Sequence, residues 1–241
     1  PIINKYLISL YNAADVVVAP TKFTKNFIEK HGVKNKIYVA SNGVDTKKFS
    51  YSKSKRKKFR ETYGIEKNQR MVYGVGQITP RKGVYDFVRL AKEFPEFKFV
   101  WVGNRKWGSI QSGAKKIKNL LKNPPKNVIF TGYVDDVVAA HCAGDIFFFP
   151  SYYENQGIVT LEAAACKSAL LLRNIDVYRD WLTHNKNCFL GKNHRDFHRY
   201  LESLSNNSKK FTKETTKMVQ DHTLKKVGKK LKSIYQKTLN Q

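Results

Sequence analysis

Two glutamates and one lysine are the residues in this chain best placed to do chemistry. Glu154 and Glu162 are separated by seven residues, and Lys82 follows Arg81 directly before Gly83. The glutamates bracket a change of pattern. Ile146 to Pro150 is a short apolar, aromatic run closed by a proline, which reads as a buried strand. Ser151 to Gly157 is a polar loop, and from Ile158 the apolar residues recur at helical spacing (Ile158, Leu161, Ala165). A strand, a turn with a glycine and a helix aim the helix N-terminus at the turn. Its free N–H groups and partial positive charge suit an anionic ligand. Glu162 lies among Ile158, Val159, Leu161, Ala163, Ala164 and Ala165, so its helix is expected to be largely buried. A buried carboxylate needs a partner.

Other polar clusters have the same look. Gly76-Gln77-Ile78-Thr79-Pro80-Arg81-Lys82-Gly83 takes a strand into a glycine turn and opens a helix beside two basic residues. That is the chemistry of a phosphate cradle, with backbone donors plus a mobile ammonium. Gly103-Asn104-Arg105 permits close approach of a ligand. In Thr131-Gly132-Tyr133-Val134, Tyr133 either faces a ligand or packs in the core.

The elements that must position these clusters alternate regularly. Strands are expected at Asp15 to Pro20, Lys36 to Ser41, Met71 to Gly76, Phe97 to Gly103, Asn127 to Thr131, Ile146 to Pro150, Ala169 to Arg173 and Asn187 to Leu190. Helices are expected from the Thr21 N-cap to about His31, Ser54 to Tyr63, Gly83 to Phe94, Ser112 to Leu121, Asp135 to Cys142, from Ile158, and near Val177 to Leu182. The last six strands with helices between them describe an α/β fold with a doubly wound, Rossmann-like parallel sheet. Ligands bind at the carboxyl ends of such strands.

Glu154-x7-Glu162 behind a hydrophobic strand, with Gly157 leading the helix, resembles the signature of the retaining glycosyltransferases of family 4, which have the two-domain GT-B fold. Asn42-Gly43-Val44-Asp45 followed by Phe49 resembles that family's link between its domains. Within the family, Arg81 to Phe87, Phe99 to Gly103, Asp145 to Tyr152 and Val177 to Leu182 are similar to the bacterial α-monoglucosyl-diacylglycerol synthases. Members of that group often have a second acid near Glu154 and an acid before Gly157, whereas this chain has Tyr153 and Gln156.

The resemblance implies transfer of a hexose, glucose from UDP-glucose, to a membrane lipid such as diacylglycerol. It implies catalytic roles for Glu154, facing the sugar, and Lys82, on the leaving diphosphate. It implies donor contacts from Glu162 to the ribose, from Arg81, Gln77 and Gly76, and from Asn155, Gln156, Gly157 and Ile158. Gly103, Tyr133 and Val134 would lie near the nucleotide. Gln77 stands where an Arg is common, and Arg81 would supply that charge. No metal or other cofactor is implied, and the chain has no Asp-x-Asp. Residues 1–48 would be the end of an N-terminal domain and the link, 49–205 the nucleotide-sugar domain, and 206–241 a basic C-terminal helix. The chain starts at Pro1 without a Met, as expected of a piece whose N-terminal domain, where GT-B enzymes largely take their acceptor, is missing.

Composition bounds the alternatives. The 241 residues, 41% hydrophobic, suffice for a substantial core. Forty-five basic against 19 acidic residues give a net charge of +26, concentrated in Lys53 to Arg60 and Lys209 to Lys237. Such a field attracts nucleotides, phosphorylated polymers and anionic lipid surfaces. Leu224, Val227, Leu231, Ile234, Tyr235 and Leu239 recur at helical spacing among lysines, either packing back on the body or meeting an anionic membrane. No run of eighteen apolar residues exists, so the chain is not expected to span a membrane, and the resemblance implies a cytoplasmic location, peripheral on the inner face of the membrane. Cys142, Cys166 and Cys188 are scattered and read as free thiols rather than a zinc set. Two other readings stay open: a family 4 hexosyltransferase with a polysaccharide or other cell-envelope acceptor, and a non-enzymatic basic module binding membrane or polyanion. Nucleic acid is not an expected partner, since no recognisable nucleic-acid motif is present.

Overall fold

The structure is a computed structural model that describes residues 2–105 and 114–240. Its centre is a six-stranded sheet of β3 (Met71–Val75), β4 (Lys98–Val102), β5 (Val128–Gly132), β6 (Ile146–Phe149), β7 (Ala169–Arg173) and β8 (Phe189–Gly191). Every pairing is parallel and the order is β5-β4-β3-β6-β7-β8. The chain therefore winds outward from β3 one way and from β6 the other. The junction between β3 and β6, with Tyr73 opposite Phe147, is the switch point where such sheets bind ligands.

Helices cover both faces, so the central strands read as nearly unbroken apolar runs; all four residues of β6 are buried. Phe87 of α4 (Val84–Ala91) meets Phe99 at 5.4 Å and Trp101 at 5.1 Å edge-on, and stacks on Phe148 at 5.8 Å. Each such ring contributes about 1.5–3 kcal/mol through burial. The helix α5 spans Ala114–Lys122, and the expected start at Ser112 lies outside the described residues. All three cysteines are free and buried.

A smaller unit precedes the sheet. The helix α1 (Ile2–Ala13) leads to strand β1 (Val17–Ala19), helix α2 (Lys22–Lys30) and strand β2 (Ile37–Val39), and the two strands pair in parallel. Thr21 caps α2 by accepting from Thr24 N–H.

Three local expectations are corrected. The helix expected near Val177 to Leu182 is only a 3-10 turn, Asp176–Tyr178. Tyr178, Trp181 and Leu182 are each buried there, and the Tyr178 and Trp181 rings meet edge-on at 5.7 Å. The run Lys53 to Arg60 is not simply a charged surface. In α3 (Lys53–Thr62), Arg56 and Arg60 turn inward and clamp Asp145 from both sides at 2.8 and 3.0 Å. Asp145 also accepts from Met71 N–H at 2.8 Å, which ties α3 to the start of β3. Finally, the C-terminal helical region begins earlier than residue 206. The helix α8 runs His194–Val219 with a kink at Asn207, capped by Asn193.

A 3-10 turn (Gln220–His222) then returns the chain to the smaller unit. Val44 N–H donates to the His222 carbonyl at 2.9 Å. The last helix, α9 (Leu224–Leu239), buries Val227 and Ile234 and leaves Leu224, Tyr235 and Leu239 exposed. It thus packs back on the body along one stripe. Among the described residues no helix is long and apolar enough to cross a membrane.

Candidate active site

A cleft of about 840 Å³ opens at the switch point. Val75 at the end of β3 lines it with Gly76 and Gln77, and so do Arg81 and Lys82 of the Pro80–Lys82 turn. Opposite them are Tyr153 to Val159 and Glu162, with Asn42 from the loop after β2.

Local sequence explains the placement. Thr79 caps the turn by accepting from Lys82 N–H. Gly83 then adopts a left-handed conformation, φ +79°, and a Cβ there would sit 2.3 Å from the Pro150 carbonyl oxygen. Only glycine allows the two loops to approach so closely. The result aims Lys82 across the cleft, where its Nζ lies 2.6 Å from Glu154 Oε1 and 5.0 Å above the Phe149 ring. Ser151 Oγ donates to the same carboxylate oxygen at 2.6 Å. Glu154 is only 9% exposed, so this is a fixed pair rather than a solvated loop acid. Arg81 lines the cleft too, its guanidinium donating to the Tyr153 carbonyl at 2.7 Å.

The loop is braced from behind. Arg173 reaches Asp86 at 2.7 Å and stacks over the Tyr152 ring at 3.8 Å, while the Tyr152 hydroxyl donates to Asp86 at 2.8 Å. Gly157, at φ +76°, leads into α7 (Ile158–Ala165), whose N-terminus has no side-chain cap. No side chain takes the N–H groups of its first turn, and Thr160 N–H donates to the Gly157 carbonyl at 2.9 Å. Glu162 sits one turn further in, its side chain 22% exposed.

Lys82, Glu154, Glu162, Arg81, Gln77, Gly76, Asn155, Gln156, Gly157 and Ile158 are thus brought to one cleft. The Gln156 side chain points away from its open part. It is buried, donates to Ser41 Oγ at 2.5 Å and accepts from Asn42 N–H at 2.9 Å. Gly103, Tyr133 and Val134 do not line the cleft. A Cβ on Gly103 would lie 2.2 Å from the Gly76 carbonyl oxygen, so its glycine serves backbone packing. Tyr133 is 77% exposed, and Val134 packs on the edge of the core.

Sequence reasoning missed four residues. Ser151 braces Glu154, and Ser41 holds Gln156. Thr24 donates to the Asn155 carbonyl at 3.0 Å, which joins α2 to the loop. His141 is fully buried with its Nε2 at 3.6 Å from Glu162 Oε2. A lone histidine in the apolar run Val137 to Ala143 was the available signal.

A doubly wound sheet with a cationic, carboxylate-bearing cleft at its switch point is the α/β arrangement of GT-B domains. Comparison with known proteins gives the family. Residues 55–221 match the model described as glycosyl transferases group 1, and residues 1–48 the model glycosyltransferase family 4. The chain belongs to this glycosyltransferase family. It is 37% identical over 243 residues to the processive diacylglycerol alpha-glucosyltransferase of Acholeplasma laidlawii, covering 99% of this chain and 72% of that protein. It is 32% identical over 195 residues to the alpha-galactosylglucosyldiacylglycerol synthase of Streptococcus pneumoniae, covering 79% of this chain and 52% of that protein. Among solved structures, Anabaena HepE in complex with UDP and glucose superposes with a TM-score of 0.88 at 17% identity, covering 97% of this chain and 66% of that one. The fold is therefore shared across a wide sequence distance.

Proposed function

We propose that this chain carries the donor site of a retaining hexosyltransferase that moves glucose from UDP-glucose to a diacylglycerol-type membrane lipid. The observation that carries the reading is the convergence of Lys82, Glu154, Glu162 and the uncapped α7 N-terminus on one cleft. The names of the relatives, both acting on diacylglycerol lipids, favour the acceptor class.

In this reading Glu162 accepts hydrogen bonds from the ribose hydroxyls. The diphosphate lies against the α7 N-terminus, met by N–H groups from Asn155 to Ile158 and by Gly76 and Gln77. As the bond from the sugar C1 to the diphosphate oxygen breaks, negative charge grows on that oxygen. Lys82, seconded by Arg81, stabilises it where it develops. A new bond forms from C1 to the acceptor hydroxyl oxygen, whose proton passes to the departing diphosphate oxygen, and UDP leaves. Glu154, held by Lys82 and Ser151, faces the sugar and supports positive charge at C1. The donor must compete with Glu154 for the Lys82 ammonium, so binding and poising of the carboxylate are coupled. No metal is needed in this scheme: the cations are side chains. A peripheral position on the inner membrane face accords with the basic charge and with the relatives' lipid substrates.

The test is transfer of labelled glucose from UDP-glucose to vesicles containing diacylglycerol by the complete gene product. Labelled glucolipid, lost in Glu154→Gln and Lys82→Met, is expected. Transfer only to a soluble polysaccharide would move the acceptor assignment to the cell envelope, and no transfer at all would overturn it.

A further inference from the structure

Behind Glu162 lies a buried polar chain that the scheme above leaves unused. His141, in α6 (Val137–Ala143), is 0% exposed. Its ring is caged edge-on by Phe49 at 5.8 Å and Tyr73 at 5.5 Å, with Phe147 tilted against it at 6.1 Å. Its Nδ1 is 2.9 Å from the Tyr73 hydroxyl, which is 2.8 Å from Ser168 Oγ. Tyr73 and Ser168 are also fully buried. His141 Nε2 is buried without a hydrogen-bond partner among the described residues, and it faces Glu162 Oε2 at 3.6 Å. A buried polar atom left unmade is costly, so its direction carries information.

The protons of this chain can run in two directions. If His141 Nδ1 donates to Tyr73, then Tyr73 donates to Ser168, and a lone pair on Nε2 faces the Glu162 carboxylate. That sets the lone pair of a buried ring nitrogen against the negative oxygens of the partly exposed Glu162. In the other direction Ser168 donates to Tyr73, Tyr73 donates to Nδ1, and an Nε2–H points at the carboxylate. Burial raises the Tyr73 pKa well above its ordinary value, so the phenol keeps the proton that it donates. The second direction satisfies every group once Glu162 closes a few tenths of an ångström.

We propose that His141, oriented by Tyr73 and Ser168, is a positioning residue that holds the Glu162 carboxylate for the ribose of a nucleoside-diphospho-sugar. This rests on the donor reading given above, in which Glu162 meets the ribose. The aromatic cage fixes the imidazole, and the Ser168–Tyr73 pair fixes which nitrogen carries the proton. Glu162 then presents one oxygen to His141 and keeps the other for the ligand. The role resembles the outer partners that orient metal ligands, where the group that touches the ligand is held by one that does not.

The experiment titrates UDP and 2′,3′-dideoxy-UDP into the wild-type chain and into Glu162→Gln, His141→Phe and His141→Gln. The wild type is expected to prefer UDP, and Glu162→Gln to erase that preference. His141→Phe should cut the preference about tenfold while leaving dideoxy-UDP affinity unchanged, the loss of one hydrogen bond to a charged group. His141→Gln, whose amide can still donate, should restore most of it. If His141→Phe keeps the full preference, or weakens both ligands alike, the positioning role is overturned. If Glu162→Gln leaves the preference intact, or the wild type binds neither ligand, the donor reading itself fails and takes this inference with it. Should His141→Phe not fold, two-bond proton–nitrogen correlation of the wild-type imidazole decides. A proton on Nε2 is expected, and a proton on Nδ1 refutes the relay.

Discussion

Replacing Lys82 with Met separates what this residue does for the fold from what it does for catalysis. The ammonium is 15% exposed and Glu154 9%, at 2.6 Å. Removing one partner of a buried pair costs about 3–5 kcal/mol, because the other charge is stranded. Here Ser151 still donates to Glu154 and the cleft admits water, so about 2–3 kcal/mol is expected. For a chain of 241 residues each kcal/mol moves the melting point by about 2–4 °C, which puts the loss at about 4–12 °C. The double variant Lys82→Met/Glu154→Gln removes the stranded charge as well, and its melting point should return to within about 3 °C of the wild type. Catalysis should not return with it. Loss of a group that stabilises developing charge costs about a hundredfold to a thousandfold in rate in the single variant, and the double variant, which also lacks the Glu154 carboxylate, should lose at least as much. Calorimetric melting and a transfer assay on the same preparations check both halves. Equal melting of the single and double variants, or wild-type transfer by either, would refute the coupling.

Further predictions concern the scaffold. Gly83→Ala should lose at least about 2 kcal/mol by denaturant unfolding, since the new Cβ would lie 2.3 Å from the Pro150 carbonyl oxygen in a left-handed backbone. Arg60→Leu should lose about 3–5 kcal/mol, because half-buried Asp145 and the carbonyls of Ala143, Glu66 and Gln69 lose their shared, buried donor. Burial lowers the His222 pKa, opposed by the Asp221 charge, at the turn that joins α9 to the link. The unfolded chain therefore binds that proton more readily, and stability should fall as pH drops through the ordinary imidazole value of about 6.5. Urea midpoints from pH 8 to pH 5 should show a smaller decline in His222→Gln.

The six central strands were legible because a parallel sheet covered on both faces leaves uninterrupted apolar runs, as in Ile146 to Phe149. The Thr21 cap was legible because it is local chemistry. What escaped was tertiary. Arg56 and Arg60 look like surface charge beside four lysines, and only the fold brings Asp145 between them. Tyr178 and Trp181 suggest a helix by spacing, yet only a single 3-10 turn forms and they are buried edge-on against each other. Gly103 reads as room for a ligand, while its neighbour is the Gly76 backbone. The site divides the same way. The spacing of Glu154 and Glu162 and the position of Lys82 marked the cleft, but the 2.6 Å pair and the His141 contact depend on residues 72 and 21 positions apart.

The most direct test of the donor site is calorimetric titration of the chain with UDP, UDP-glucose and GDP, repeated on Glu162→Ala. Saturable binding of the two uridine ligands, weaker for GDP and abolished by the substitution, is the predicted result. Equal weak binding of all three, unchanged in Glu162→Ala, would contradict the account and leave a basic surface that attracts any polyanion.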